Sequence, residues 1–153
     1  SFPTRRSSDL IKNLRNRTGA GMVEIKKALE EAGGDETKAL EILHSRGQEK
    51  AQKKSDREAF EGLVASYVHA NGKIGAMVKL MCETDFVARN EDFKNLARDI
   101  AMHIVAMNPE DNETLLSQPF VKNPEITVND LIIQNISKIG ENIQVGGFSR
   151  LEL

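Results

Sequence analysis

Tryptophan is absent from the chain, and cysteine occurs once, at Cys82. A single cysteine cannot close an internal disulfide, so no covalent staple is available, which fits a reducing, cytoplasmic compartment. Aromatic residues are only 5% of the sequence, so any core is built mainly from aliphatic side chains. No apolar run approaches the about 18 residues expected of a membrane-spanning helix, and no secretory signal is evident. Charge of one sign is also lacking. A net charge of -2 argues against a bulk nucleic-acid or membrane-surface binder. The opening "SFPTRRSSDL" has neither an initiator Met nor an amphipathic pattern, and residues 1–9 read as an adapter-derived or disordered tail.

What is present suits a globular protein: 153 residues, 39% hydrophobic and 29% charged, enough for one domain or two small ones. The charges are unevenly spread. Residues 1–58 carry 13 basic against 10 acidic side chains, and residues 59–153 carry 8 against 13.

Three short helices are predicted first. Leu10, Ile11 and Leu14 recur at helical spacing, and "TGAG" at 18–21 breaks the pattern. A second helix, with Met22, Ile25, Ala28, Leu29 and Ala32 on one face, stops at Gly33-Gly34. Asp35 caps a third helix, which is expected to end at Gly47. Residues 10–47 thus form a three-helix module whose small core is marginal alone. Residues 48–59 follow as a basic helical connector bearing Lys50, Lys53, Lys54 and Arg57.

Over residues 60–153 the pattern turns to strands. "LVASYVHA" and "IGAMVKLM" flank Asn71-Gly72, a strong hairpin signal. Asn90 can cap a long helix with Phe93, Leu96, Ala97, Ile100, Ala101, Ile104 and Met107 on one face, ending before Pro109. "PEDNETLLSQPFVKNP" reads as loop, Thr127 caps a further helix that stops near Gly140, and "NIQVGGFSRLEL" closes the chain as a strand. The expected class is α+β, the second unit being β-β-α-α-β with a three-stranded antiparallel sheet covered by helices.

Within "CETDFVARNEDF", Phe86 allows two readings. In an unbroken helix from Asp85 it would share the apolar face of Phe93, seven residues on. With a break at Asn90 it would protrude as an interface anchor. His44, His69 and His103 are too scattered for metal-ligand spacing, and His103 reads as a satisfied, partly buried histidine near the helix stripe. Cys82 has nothing local to activate its thiol, and "GAG" at 19–21 lacks the strand and Lys-Ser/Thr of a phosphate loop. No cofactor and no catalytic constellation is expected.

The same stretches carry a family resemblance. "LRNRTGAGMVEIKKALEEAGGDETKALEIL" resembles the N-terminal module of the bacterial elongation factor Ts family. "CETDFVARNEDFKNLARDIAMHI" is similar to its core signature, and "QPFVKN" with "SKIGENI" to its C-terminal part. The resemblance implies a guanine nucleotide exchange factor for elongation factor Tu that binds the GDP-bound and nucleotide-free forms. It makes no bond and breaks none, so it is not an enzyme. It also implies an N-terminal module like ubiquitin-associated domains, which docks on the GTP-binding domain through Arg15, Met22 and Val23, the last standing where the family often has a second Met. Asp85 and Phe86, within "TDFVA" (Thr84, Asp85, Phe86, Val87), would intrude beside the nucleotide and Mg site. His103 would reach the GTP-binding domain. The interval "PEDNETLLS" is short where relatives carry an insertion or a duplicated core, which marks a single-core form and suggests a homodimer. Gly146-Gly147, Glu49 and Gln52 depart from the family pattern. Competing expectations are a helical protein-binding adaptor without exchange activity, an RNA-binding accessory protein using the Lys50–Lys54 connector, and a cysteine hydrolase using Cys82.

Overall fold

The computed structural model describes residues 4–153. Three helices come first: α1 (Thr4–Thr18), α2 (Met22–Glu31) and α3 (Glu36–Lys54). Leu14, Ile25, Ala28, Leu29, Ala39 and Leu43 meet in their shared core, with Leu10 and Ile11 partly buried at its edge. The breaks between them are local chemistry. Thr18 donates its hydroxyl to the Leu14 carbonyl, and the Asp35 side chain accepts from Lys38 N.

Two boundaries differ from the sequence expectation. Helix α1 begins at Thr4, so residues 4–9, expected as tail, are helical, while residues 1–3 of that expectation lie outside the described residues. Helix α3 runs through Gly47 into the segment expected as connector and stops only at Lys54. Gly47 faces a later helix: a Cβ there would lie 3.4 Å from Ile133 Cγ2, at ordinary van der Waals contact.

Strands β1 (Glu61–Val68) and β2 (Ile74–Cys82) form the hairpin at Asn71-Gly72. They lead into the single-turn α4 (Asp85–Ala88) and the long α5 (Glu91–Met107). The segment 109–124, expected as loop, holds α6 (Asn112–Ser117) and β3 (Pro119–Phe120), which pairs with β4 (Asn123–Thr127). A six-residue helix is too short to display periodicity; its signal is Asp111, whose side chain accepts from Thr114 N at 2.7 Å. Helix α7 (Val128–Ile139) starts with a full capping box between Thr127 and Asp130, and β5 (Gln144–Glu152) completes the sheet.

The antiparallel sheet has the order β1-β2-β5. Its inner face, Ala76, Val78 and Leu80, packs on Phe93, Leu96, Ile100 and Ile104 of α5, with Val128, Ile132 and Ile136 of α7 closing the core. The outer face exposes Val64, Val68, Met77 and Leu151. Alternation with period two accounts for both faces. The helical module sits on α7: Gln134 Nε2 donates to the Arg17 carbonyl at 2.6 Å, and Arg17 pairs with Glu125 at 3.4 Å.

Candidate functional site

Strand β2 ends at Cys82, and within two residues the chain starts α4, a helix of one turn. Its geometry comes from caps at both ends. Thr84 Oγ1 accepts from Val87 N at 3.2 Å to start α4. Asn90 Oδ1 accepts from Asp92 N at 2.8 Å and starts α5 afresh. The break between the two helices at Arg89–Asn90 rotates Phe86 off the stripe of Phe93, so the core-packing reading of Phe86 is overturned. Val87 and Ala88 are buried and pin the turn to the domain. Phe86 projects with 81% of its surface exposed, the most exposed aromatic among the described residues. Asp85 is exposed beside it and pairs with Arg89 at 2.5 Å, a surface ion pair of little net energy.

The remaining expected site residues separate. Arg15 lies exposed on α1, and Met22 and Val23 lie exposed at the start of α2. Thr84 is exposed beside Asp85. Val87 and His103 are different: neither presents a surface. Val87 is the buried foot of α4, and His103 is wholly inside the core. Val121 N donates to His103 Nδ1 at 3.1 Å, so Nε2 carries the proton and donates to Gln118 Oε1 at 2.9 Å. Burial pushes the imidazole below its usual 6.5, partly offset by the Gln118 hydrogen bond. In this chain His103 bonds within its own domain and ties the segment around β3 to α5.

Cys82 is buried and donates to the Thr84 carbonyl at 3.2 Å. Burial, and next the Glu141 carboxylate, push its thiol up to about 11, which keeps it protonated and poorly nucleophilic at neutral pH. Among the described residues, no group of three or more His, Cys, Asp and Glu is placed to hold a metal ion, and no helix is long and apolar enough to cross a membrane. Within the basic connector, Lys50 is engaged by Glu24. One exposed aromatic escaped the sequence reading. Phe60, 79% exposed, stands just before β1, the strand against which α4 packs. Its signal was an apolar ring within a charged stretch, "REAFEG".

Fold and site together define an α+β protein of a helical module and a small sheet domain, each with exposed apolar side chains. Residues 83–153 match the family described as Elongation factor TS. The chain is 43% identical over 192 residues to the elongation factor Ts of Carboxydothermus hydrogenoformans, covering 96% of this chain and 88% of that protein. It is 41% identical over 191 residues to that of Thermodesulfovibrio yellowstonii, covering 96% of each. With that of Fervidobacterium nodosum the identity is 43% over 193 residues, 96% of this chain and 98% of the relative. The chain belongs to the elongation factor Ts family. The matched spans exceed its 153 residues, so the relatives carry internal segments that have no counterpart here.

Proposed function

We propose that this chain is a guanine nucleotide exchange factor for elongation factor Tu, and that it releases GDP by inserting Asp85 and Phe86 beside the nucleotide and Mg site. The observation that carries this is the exposed ring of Phe86 on a turn fixed by two caps and two buried side chains. The helical module, in the manner of a ubiquitin-associated domain, docks on the GTP-binding domain through Arg15, Met22 and Val23, whose apolar members are half or more exposed. Phe60, just before β1, is a further exposed aromatic. Val87 and His103 act from within, by holding α4 and the β3 segment.

Exchange by such a wedge is a linkage effect. A factor that favours the nucleotide-free partner must in turn be weakened by nucleotide. If GDP binds at nanomolar strength, about -12 kcal/mol, loosening it ~10⁴-fold needs roughly 5.5 kcal/mol of differential contact. One buried aromatic anchor supplies about 2–4 kcal/mol, so the helical module and Asp85 have to contribute the rest. No covalent bond changes. We further propose a homodimer, in which the apolar outer sheet face of Val64, Val68, Met77 and Leu151 packs on a second copy.

The test is to mix the chain with elongation factor Tu loaded with a fluorescent GDP analogue and time its release. Phe86→Ala is expected to slow stimulated release by about 30-fold or more, equivalent to the loss of a 2 kcal/mol anchor, with an unchanged circular-dichroism spectrum. An unchanged release rate would remove the wedge and favour the adaptor reading, in which the same surfaces bind without exchange.

A further inference from the structure

Resting on that exchange reading, we propose that Glu141 and Asn142, on the turn between α7 and β5, are positioning residues that hold the Asp85–Phe86 turn in its insertion orientation and tie it to the connector after α3. A one-turn helix cannot hold itself, because nucleation fixes several dihedrals for a single hydrogen bond. The residues just before it, Glu83 and Thr84, have left the strand ladder, whose last pair is Glu61 with Cys82. Their backbone donors go instead to one side chain from the far end of the chain. Glu141 Oε1 accepts from Glu83 N at 3.0 Å and from Thr84 N at 3.1 Å, and Oε2 accepts from Thr84 Oγ1 at 2.8 Å.

The third of these bonds fixes the cap. Thr84 Oγ1 has one proton, which goes to Glu141, and this leaves its lone pairs directed at Val87 N. Three donors on one carboxylate make charge-assisted bonds, stronger than neutral ones. The clamp is also reciprocal. Glu83 Oε2 accepts from Asn142 N at 2.6 Å, and Arg57 approaches the same oxygen at 3.7 Å. Asn142, only 2% exposed, donates through Nδ2 to the Arg57 carbonyl at 2.8 Å and reaches the Ser55 carbonyl at 3.5 Å. Gly140, at φ +90, turns the chain so that Glu141 and Asn142 reach these partners. The end of the connector, the closing strand and the wedge therefore share one polar junction.

Removing the clamp leaves the foot of α4 buried but widens the orientations open to Phe86. Only the fraction in the insertion orientation can engage, so apparent affinity falls by that fraction while the rate at saturation survives. Two readouts separate this from a failure of the exchange reading. The first needs no partner. Because the chain has no Trp, Phe86→Trp creates a single reporter on the turn, and its time-resolved anisotropy measures local motion. In that background Glu141→Ala is expected to raise the fast-decay amplitude roughly twofold, and Glu141→Gln, which keeps an acceptor, to raise it less. The second readout is GDP release. Glu141→Ala is expected to raise the half-saturating concentration of the chain by about tenfold with the maximal rate kept, and to add nothing when Phe86 is already Ala. An anisotropy decay unaltered in both Glu141 variants overturns the proposal whatever the exchange assay shows. If Glu141→Ala does not fold, the Gln variant is decisive: a decay like that of the parent overturns the clamp, and an intermediate one supports it.

Discussion

Asp85 and Phe86 face solvent while Val87 and Ala88 face the core, a division made within four residues by one capped turn. At this scale His103 offers a test independent of any partner. Its imidazole is fully buried, with Nδ1 accepting from Val121 and Nε2 donating to Gln118, so folding requires the neutral ring. Its pKa is lowered from 6.5 in the folded state, chiefly by burial. The unfolded chain then binds the proton more readily than the folded one. The histidine's full contribution is therefore present above pH 6.5 and is lost as pH falls from that value towards the folded pKa. Thermal melts from about pH 7.5 down to about pH 5.5 should show wild-type stability falling by at most about 1.4 kcal/mol per pH unit from this group. His103→Gln should have a lower melting temperature at neutral pH but a flatter pH dependence.

Among the elements, the β1–β2 hairpin depends on one glycine more than its turn sequence suggests. Gly62 sits at φ +147, opposite Met81, and a Cβ there would lie 2.0 Å from the Leu80 carbonyl oxygen and 2.9 Å from Met81 Cα. These are backbone atoms in a paired strand and cannot step aside without separating the ladder. Gly62→Ala is expected to destabilise the protein by about 3 kcal/mol or more, seen as a lower urea midpoint. Gly146 marks a bulge across the same central strand. Lys79 pairs with Gly147 and Leu80 with Val145, so Gly146 is the extra residue, and a Cβ on it would meet the ends of Lys79 and Met81.

On the scale of the whole molecule, the helical module and the sheet domain are joined along α7, where Ile133 faces Gly47 of α3 and Gln134 donates to the Arg17 carbonyl at the end of α1. Rigidity across this joint would let two exposed patches, Met22-Val23 and Asp85-Phe86, be presented to one partner at a set separation, which lowers the entropy lost on docking. The sheet domain meanwhile leaves an apolar face uncovered. If a second copy covers it, Met77→Asp places an unpaired charge at the centre of the strand order and should shift the protein to monomer. Sizing chromatography with light scattering checks this; equal masses for both variants would show that the face is not the dimer surface.

Local features were legible in the sequence because their chemistry is local. Asn71-Gly72 marked the hairpin, Asp35, Asn90 and Thr127 capped their helices, and the stripe of α5 marked its buried face. The break at Asn90 was also written there, and with it the possibility that Phe86 protrudes. Contacts between distant segments decided the rest. Burial of Val87 and Ala88 turned Phe86 outward, α3 packs along α7 and continues through Gly47, and His103 was drawn inside by Val121 and Gln118. Glu141 meets Thr84 across 57 positions of chain, a pairing that no spacing rule contains. Capping and periodicity act over one or two turns, whereas which face is buried depends on partners that only the folded chain brings together.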